Sequence, residues 1–181
     1  KISAIQSSAK GFTIGAAVSG AELGEHTALK KAWPGVVEAA NLIGSDQIQG
    51  RATLPGNLCN ASPAADSVPA LIAAGAKAVV VGPLKKRIVP VEKVMIGPGK
   101  TSLAKGELIE AITLPKAEPR SGDAYLRFTP RTEMDIAVVG IAISVKLERG
   151  FIKKARVVLG AVAPTAIVVA AASKAIIGTK L

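Results

Sequence analysis

The residues best suited to chemistry lie in the stretch RATLPGNLCNASPAADSVPAL, residues 51–71, where polar side chains separate two apolar segments. Pro55 restricts the backbone and Gly56 admits a positive φ, so TLPGN predicts a tight turn with its amide groups exposed on one side. Exposed amides attract an anion, and Asp66 adds a carboxylate that can accept hydrogen bonds from sugar hydroxyls. Further side-chain donors are Asn57, Asn60 and Ser62. The stretch suits an anionic, sugar-bearing ligand, although a solvent-exposed Asx turn explains the same residues.

The histidine and cysteine content limits the catalytic centres that the chain can build. Cys59 is the single cysteine, which excludes an internal disulfide and any multi-cysteine metal or iron-sulfur site. His26 is the single histidine, and its surroundings, GEHT, indicate a polar helix surface. We therefore expect no catalytic side chain and no metal ligands on this chain.

The net charge of +10, from 23 Lys+Arg and 13 Asp+Glu, makes nucleic acid and an acidic partner candidate ligands. Binders of single-stranded nucleic acid stack bases on aromatic side chains, and aromatic residues make up only 3% of this chain. The sequence therefore argues against a nucleic-acid ligand. No uninterrupted apolar run reaches the roughly 18 residues of a membrane span, and no export signal is recognisable. We expect a cytoplasmic protein without a membrane span.

The first two thirds of the chain alternate strands and helices. The run 12–19 predicts a strand, and helical spacing follows on both sides of Pro34, with a second helix over 35–43. The segment 45–57 has neither a helical nor a strand period. Residues 68–76 predict a short helix, residues 77–91 a hairpin around Gly82-Pro83, and a later strand ends at Pro115.

The last third has a different character. Residues 116–123, KAEPRSGD, are typical of a linker. Three long strand-like runs follow at 124–131, 135–150 and 151–163, and a helix is predicted from 164 onward. The fold class is therefore α+β, with a boundary near residue 119. A sheet covered by one short helix would leave part of its apolar face exposed.

Three motifs in order resemble the flavin subunits of the molybdenum hydroxylases, the family of carbon monoxide dehydrogenase medium subunits and xanthine dehydrogenase flavin domains. Residues 43–71, IGSDQIQGRATLPGNLCNASPAADSVPAL, are similar to the family pattern VGSxQIRNRATxxGNLCNASPAADxxPAL. The segments GPGKTSL, 97–103, and PRTEMDIAVVGIA, 130–142, match the later motifs. The resemblance extends from about residue 11 to the end of the chain.

The resemblance implies that residues 1–118 form the second half of an FAD-binding domain of the p-cresol methylhydroxylase (PCMH) type. Residues 119–181 would form an incomplete flavoprotein C-terminal domain, a three-stranded antiparallel sheet plus a helix. The family's earlier half-domain, with its pyrophosphate loop, is not recognisable here, so we expect a chain truncated at both ends. The residues expected beside FAD are Ala52, Thr53, Gly56, Asn57, Cys59, Asn60, Ala65 and Asp66, with Ile43 and Ile109 flanking the cofactor and Arg127 near the flavin ring.

The physical character of these side chains is consistent with such roles. Asp66 suits a ribose or ribityl hydroxyl, aliphatic walls suit a planar ring, and Cys59 is interpreted as a small packing residue. Arg127 could raise the reduction potential of the flavin, although a surface ion pair is an alternative.

The function implied by the resemblance is electron transfer through FAD in an oxidoreductase complex. Electrons would come from the [2Fe-2S] centres of a small partner subunit, with molybdopterin on a large partner subunit, and leave to an external acceptor. A dimer of heterotrimers is the expected assembly. The alternative is a non-catalytic scaffold that docks other subunits and no longer binds flavin.

Overall fold

The computed structural model describes residues 2–131 and 134–180 and contains two main antiparallel sheets. The strands of its first part are β1 (Ile5–Ser8), β2 (Gly11–Gly15), β3 (Lys77–Val81), β4 (Lys86–Pro90), β5 (Met95–Gly97), β6 (Lys100–Thr101) and β7 (Leu108–Pro115). Five of them form a sheet in the order β1-β2-β7-β3-β4, while β5 and β6 pair separately. The predicted hairpin and the strand ending at Pro115 are both confirmed.

Among the described residues, six α-helices accompany this sheet. They are α1 (Gly20–Glu25), α2 (Thr27–Ala32), α3 (Pro34–Asn41), α4 (Asp46–Gln49), α5 (Leu54–Asn60) and α6 (Ser67–Ala73). Pro34 occupies the first turn of α3 as predicted, although this helix ends at Asn41 and not at 43. The first helical stretch is split at His26, whose Nδ1 accepts a hydrogen bond from the Leu29 amide at 3.1 Å and caps α2. His26 is thus a structural cap.

The second sheet contains β8 (Ser121–Phe128), β9 (Val139–Glu148), β10 (Phe151–Gly160) and the short β11 (Ile167–Val168), followed by α7 (Ala170–Ile176). Its order is β11-β10-β9-β8. The three long strands are confirmed, although β8 begins at Ser121, inside the predicted linker 116–123, and β9 begins only at Val139. The predicted helix start at 164 is wrong. Ile167 and Val168 pair with β10 as a fourth strand, so the helix begins only at Ala170.

The hydrophobic core joins both parts of the chain. Across the first sheet, Ile14, Ile112 and Ala78 stand side by side on neighbouring strands, and all three are fully buried. The same core cluster includes Tyr125 on β8 and Ala142 on β9. The two sheets and the helices between them therefore pack as connected layers.

The outer face of the second sheet is apolar and open. Leu126 and Phe128 on β8 are 71% and 62% exposed, and Ile141, paired with Leu126, is 40% exposed. Helix α7 packs on β10 and leaves these side chains uncovered within the described residues. This agrees with the expectation of a partly covered sheet. Among residues 2–131 and 134–180, no helix is long and apolar enough to cross a bilayer.

Candidate cofactor site

Residues 53–60, predicted as an open turn, form a capped helix. The Oγ1 of Thr53 accepts a hydrogen bond from the Gly56 amide at 3.0 Å, and the Thr53 carbonyl accepts one from the Asn57 amide at 2.9 Å. The prediction that the amides of TLPGN are exposed for an anion is therefore wrong for Gly56 and Asn57. Gly56 also lies inside α5 and does not adopt a positive φ.

The sequence of α5 explains why it folds as a helix. Thr53 is a favourable N-cap residue, and Pro55 in the first turn needs no amide partner. Leu54 and Leu58, one turn apart, are both buried. With seven residues, the helix contains only this one apolar pair at helical spacing, and a single pair does not reveal a period. The interpretation of 45–57 as irregular is corrected by α5 and by the one-turn α4.

The solvent face of α5 gathers four of the eleven residues predicted to lie beside FAD. Gly56, Cys59 and Asn60 are exposed, and Asn57 is half-buried. Cys59 is exposed on this face, although partial burial raises the pKa of its thiol, and its role as a packing residue beside FAD stays a prediction. Gly56 adds no side chain to this face, and a Cβ there would lie 2.9 Å from the Thr53 Oγ1. The helix therefore presents a shallow polar surface.

Neighbouring segments hold α5 at both ends. The Ala52 carbonyl accepts a hydrogen bond from the Gly20 amide at 2.8 Å, which fixes the entry of the helix. At the other end, the amide of Gly99 in the GPGK turn donates to the Ala61 carbonyl at 2.9 Å. Asn57 adds a side-chain contact, because its Oδ1 accepts from the Ser67 hydroxyl at 2.6 Å.

Asp66, Tyr125 and Arg127 form one hydrogen-bonded cluster between α6 and β8. The Tyr125 hydroxyl donates to Asp66 Oδ1 at 2.8 Å, and Arg127 Nη1 donates to Asp66 Oδ2 at 2.8 Å. Asp66 is buried, with 8% of its surface exposed, so a solvent-exposed Asx turn does not describe it. The Arg127 side chain is also largely buried. Arg127 therefore does form an ion pair, with Asp66, but this pair is buried and not on the surface.

Burial sets the protonation chemistry of this cluster. It raises the pKa of Asp66 above its ordinary value, while the hydrogen bond from Tyr125 and the charge of Arg127 act in the opposite direction. Burial also raises the pKa of the Tyr125 hydroxyl well above its usual range, and the adjacent Asp66 carboxylate adds to this effect. Tyr125 is therefore a protonated hydrogen-bond donor at neutral pH.

Two adjoining cavities open beside this cluster. The smaller, of about 230 Å³, is lined by Ile43, Asp66 and Arg127, three of the predicted site residues. The larger, of about 360 Å³, also has Arg127 in its wall, together with polar side chains around α4. Gly44 and Met134 border both cavities. The structure thus brings Ile43, Asp66 and Arg127 together around one opening.

Two predicted residues lie elsewhere. Ile109 is buried on β7 opposite Val80, in the sheet and outside the two cavity walls. Ala65 is buried directly before Asp66, where its amide donates to the Ser62 carbonyl at 3.0 Å. Both are packing residues within this chain.

Sequence reasoning did not identify Tyr125 or Ile136 as site residues. Ile136 lines the smaller cavity, and Tyr125 holds Asp66. A signal for Tyr125 was available, because residues two apart on a strand point to the same face, which places Tyr125 and Arg127 together. Ile136 lies in an irregular segment before β9, where spacing gives no such indication.

Comparisons with known proteins assign the chain to a family. Residues 1–117 match the profile described as the FAD binding domain in molybdopterin dehydrogenase, and residues 124–181 match the CO dehydrogenase flavoprotein C-terminal domain. A putative xanthine dehydrogenase FAD-binding subunit of Escherichia coli is 33% identical over 155 residues, covering 85% of this chain and 53% of the relative. The carbon monoxide dehydrogenase medium chain of Hydrogenophaga pseudoflava is 31% identical over 134 residues, 74% of this chain and 46% of the relative.

Comparison of the fold with solved structures supports the same family assignment. A structure of carbon monoxide dehydrogenase from Hydrogenophaga pseudoflava superposes with a TM-score of 0.93 at 29% identity, covering 99% of this chain and 62% of that one. The chain spans about half the length of the curated relatives that it matches. FAD is the cofactor of the family whose profile covers residues 1–117. The chain therefore belongs to the FAD-binding subunits of the molybdenum hydroxylase family, as its three motifs predicted.

Proposed function

We propose that this chain carries FAD as part of an electron-transfer subunit in a molybdenum-containing hydroxylase or dehydrogenase. The observation that supports this most strongly is the superposition on carbon monoxide dehydrogenase over 99% of the chain. In this proposal residues 1–118 belong to the FAD-binding domain and residues 119–181 to the flavoprotein C-terminal domain. FAD, when bound, supplies the redox chemistry, while the protein binds and orients it.

The residues of the candidate site fit this cofactor. The solvent face of α5 is exposed at Gly56, which adds no side chain, so a flat ligand can approach the helix backbone there. Asn60 is exposed on the same face and carries both a donor and an acceptor. Arg127 supplies a positive charge at the wall of both cavities, which favours an anionic group or the reduced form of a flavin.

Partner subunits complete the proposal. Electrons would reach the flavin from [2Fe-2S] centres on a small subunit, and molybdopterin would lie on a large subunit, in a cytoplasmic dimer of heterotrimers. A Cu,Mo-containing carbon monoxide dehydrogenase also superposes on this chain, with a TM-score of 0.93 at 28% identity, which supports a molybdenum partner subunit. The substrate would then be chosen by the molybdenum subunit.

Titration of the chain with FAD tests the proposal directly. On its own the chain should bind FAD weakly, because the family's earlier half-domain with its pyrophosphate loop is not recognisable in it. Joined to that half-domain, it should quench flavin fluorescence and give a protein-bound flavin absorption spectrum. Gly56→Val should abolish both, because the β-branched side chain would fill the surface of α5 and displace the Thr53 hydroxyl. Binding of FAD by the Gly56→Val chain with unchanged affinity would contradict the use of this face.

Gly122→Val is the matched control. Gly122 is an exposed glycine on β8, and a Cβ added there meets no atom within 4 Å among the described residues. This variant should bind FAD as the unmodified chain does. A chain that folds but never binds flavin would favour the second candidate function, a docking scaffold, for which the open apolar face around Leu126 and Phe128 is the supporting observation.

A further inference from the structure

Asp66 occupies the N-cap position of α6 without acting as a cap. Within the described residues, its carboxylate makes no hydrogen bond to the first turn of the helix. It reaches across to β8, where its two oxygens accept from Tyr125 and Arg127. Aspartate at an N-cap position normally satisfies the amides of its own helix. The carboxylate is thus hydrogen-bonded to side chains of β8 and not to the backbone of α6.

Tyr125 lies behind Asp66, away from the cavities. The residue is 3% exposed, and its hydroxyl would overlap a Cβ added at position 140, so Gly140 provides the space that it needs. Asp66 and Arg127 line the smaller cavity, and Arg127 also lines the larger one. The order from the core outward is therefore Tyr125, Asp66, Arg127.

In this order, each side chain restricts the movement of the next one outward. A carboxylate that accepts one bond on each oxygen is fixed in rotation as well as in position. A fixed carboxylate in turn restricts the guanidinium that donates to it, although Arg has a long and flexible side chain. Removing the Tyr125 hydroxyl would free one oxygen of Asp66, let the carboxylate turn and loosen its hydrogen bond with Arg127.

We propose that Tyr125 is a positioning residue of the cofactor site: through Asp66, its hydroxyl holds the Arg127 guanidinium at the wall shared by the two cavities. The part of the inference that concerns flavin rests on the proposed function. The part that concerns Arg127 does not, and it can be measured without any cofactor.

The first experiment compares the cofactor-free chain with Tyr125→Phe, a change that removes one oxygen and no charge. Side-chain proton exchange of the Arg127 guanidinium, measured by NMR and assigned with Arg127→Lys, should become about five- to tenfold faster, the factor expected from the loss of one hydrogen bond. Unchanged exchange at Arg127 in a folded Tyr125→Phe chain would overturn the proposal.

Ser173→Ala is the matched control for losing one buried hydroxyl. Ser173 Oγ accepts from the Val157 amide at 3.0 Å and donates to the Val169 carbonyl at 2.9 Å, in the second sheet and α7. This variant should lower stability and leave Arg127 exchange unchanged. Equal acceleration in both variants would reduce Tyr125 to a residue that only supports the fold, which contradicts the proposal.

The second experiment measures the midpoint potential of FAD bound to the chain. Tyr125→Phe should weaken the preference for reduced over oxidised flavin three- to tenfold, which lowers the two-electron potential by about 15 to 30 mV. In an Arg127→Gln background the same change should have no further effect, because Tyr125 acts through Arg127. A full additional shift in that background would overturn the proposal. Failure to bind FAD even when the family's earlier half-domain is present would contradict the proposed function, while the NMR comparison would still decide the role of Tyr125.

Discussion

Gly35 at the start of α3 lies directly against the backbone of Ala124 on β8, and a Cβ at Gly35 would lie 2.7 Å from the Ala124 nitrogen. Only a residue without a side chain allows the helix to come this close to the strand. The contact is reinforced on both sides, because the Val36 amide donates to Asp123 and the Tyr125 amide donates to Glu38. Helix α3 therefore couples the two parts of the chain.

Gly35→Val should destabilise the chain by forcing α3 away from β8. Overpacking of this kind costs about 1 to 3 kcal/mol, with a correspondingly lower midpoint in urea. Gly122→Val, on the same strand but facing open space, serves as the comparison. Equal midpoints for the two variants would show that α3 does not hold β8 in this way.

Gly140→Ala should be destabilising for a reason specific to Tyr125. The added methyl group would overlap the Tyr125 hydroxyl and break its bond to Asp66, at a cost of about 1 to 3 kcal/mol. In a Tyr125→Phe background the hydroxyl is already absent, so the same alanine should cost less. A double-mutant cycle of urea unfolding gives the coupling, and strict additivity of the two changes would contradict the explanation.

Asp123 should make stability depend on pH between about 4 and 6. Burial raises its pKa from 3.8 to about 6, because it outweighs the amide hydrogen bonds at the start of α3. The folded chain thus binds this proton more tightly than the unfolded chain does, so stability is fully present below pH 3.8 and is lost as the pH rises through 6. After allowance for partial solvent exposure the effect is about 1 to 2 kcal/mol.

The isosteric change Asp123→Asn tests this assignment, because an amide does not titrate. The unfolding free energy of the variant should be flatter over this pH window than that of the unmodified chain. Glu107 and Glu118, whose pKa values are lowered to about 2 by Arg87 and by Lys146 with Lys154, act in a different range. Their contribution is lost only as the pH falls from about 4.5 toward 2, and both chains should share it. Identical profiles between pH 4 and 6 would rule out Asp123.

Thr53→Ala should affect both the stability and the ligand surface of α5. It removes the side-chain cap that the Gly56 amide uses, at a cost of about 1 kcal/mol, and it frees the first turn to fray. Flavin affinity should fall with it under the proposed function. Thr53→Ser keeps the hydroxyl and should restore both properties, and a serine variant that behaves like the alanine variant would show that the cap is not responsible.

The sequence predicted long strands and motif order well, because both are properties of neighbouring residues. The runs around Tyr125 and Val145 alternate or remain apolar over many residues, and the structure confirms their strands. It predicted α5 poorly, since a capped helix of seven residues and an open turn use the same Thr, Pro, Gly and Asn residues.

The sequence predicted which residues belong to the candidate site better than it predicted how they contact one another. Asp66 and Arg127 were both expected near the cofactor, but their ion pair joins positions 61 residues apart. No local spacing indicates such a contact. Spacing on the strand places Tyr125 beside Arg127, but its hydrogen bond to Asp66 depends on how α6 packs against β8.

The helix laid along β8 also bears on how the chain behaves when it is partly unfolded. β8 is the last strand of its sheet, and α3 occupies the side on which another strand could pair. If α3 moved away, the amides of β8 would become a template for a strand of another molecule, beside the exposed Leu126 and Phe128. Gly35 lets α3 cover this edge of β8, and we expect a larger residue at this position to favour edge-to-edge aggregation.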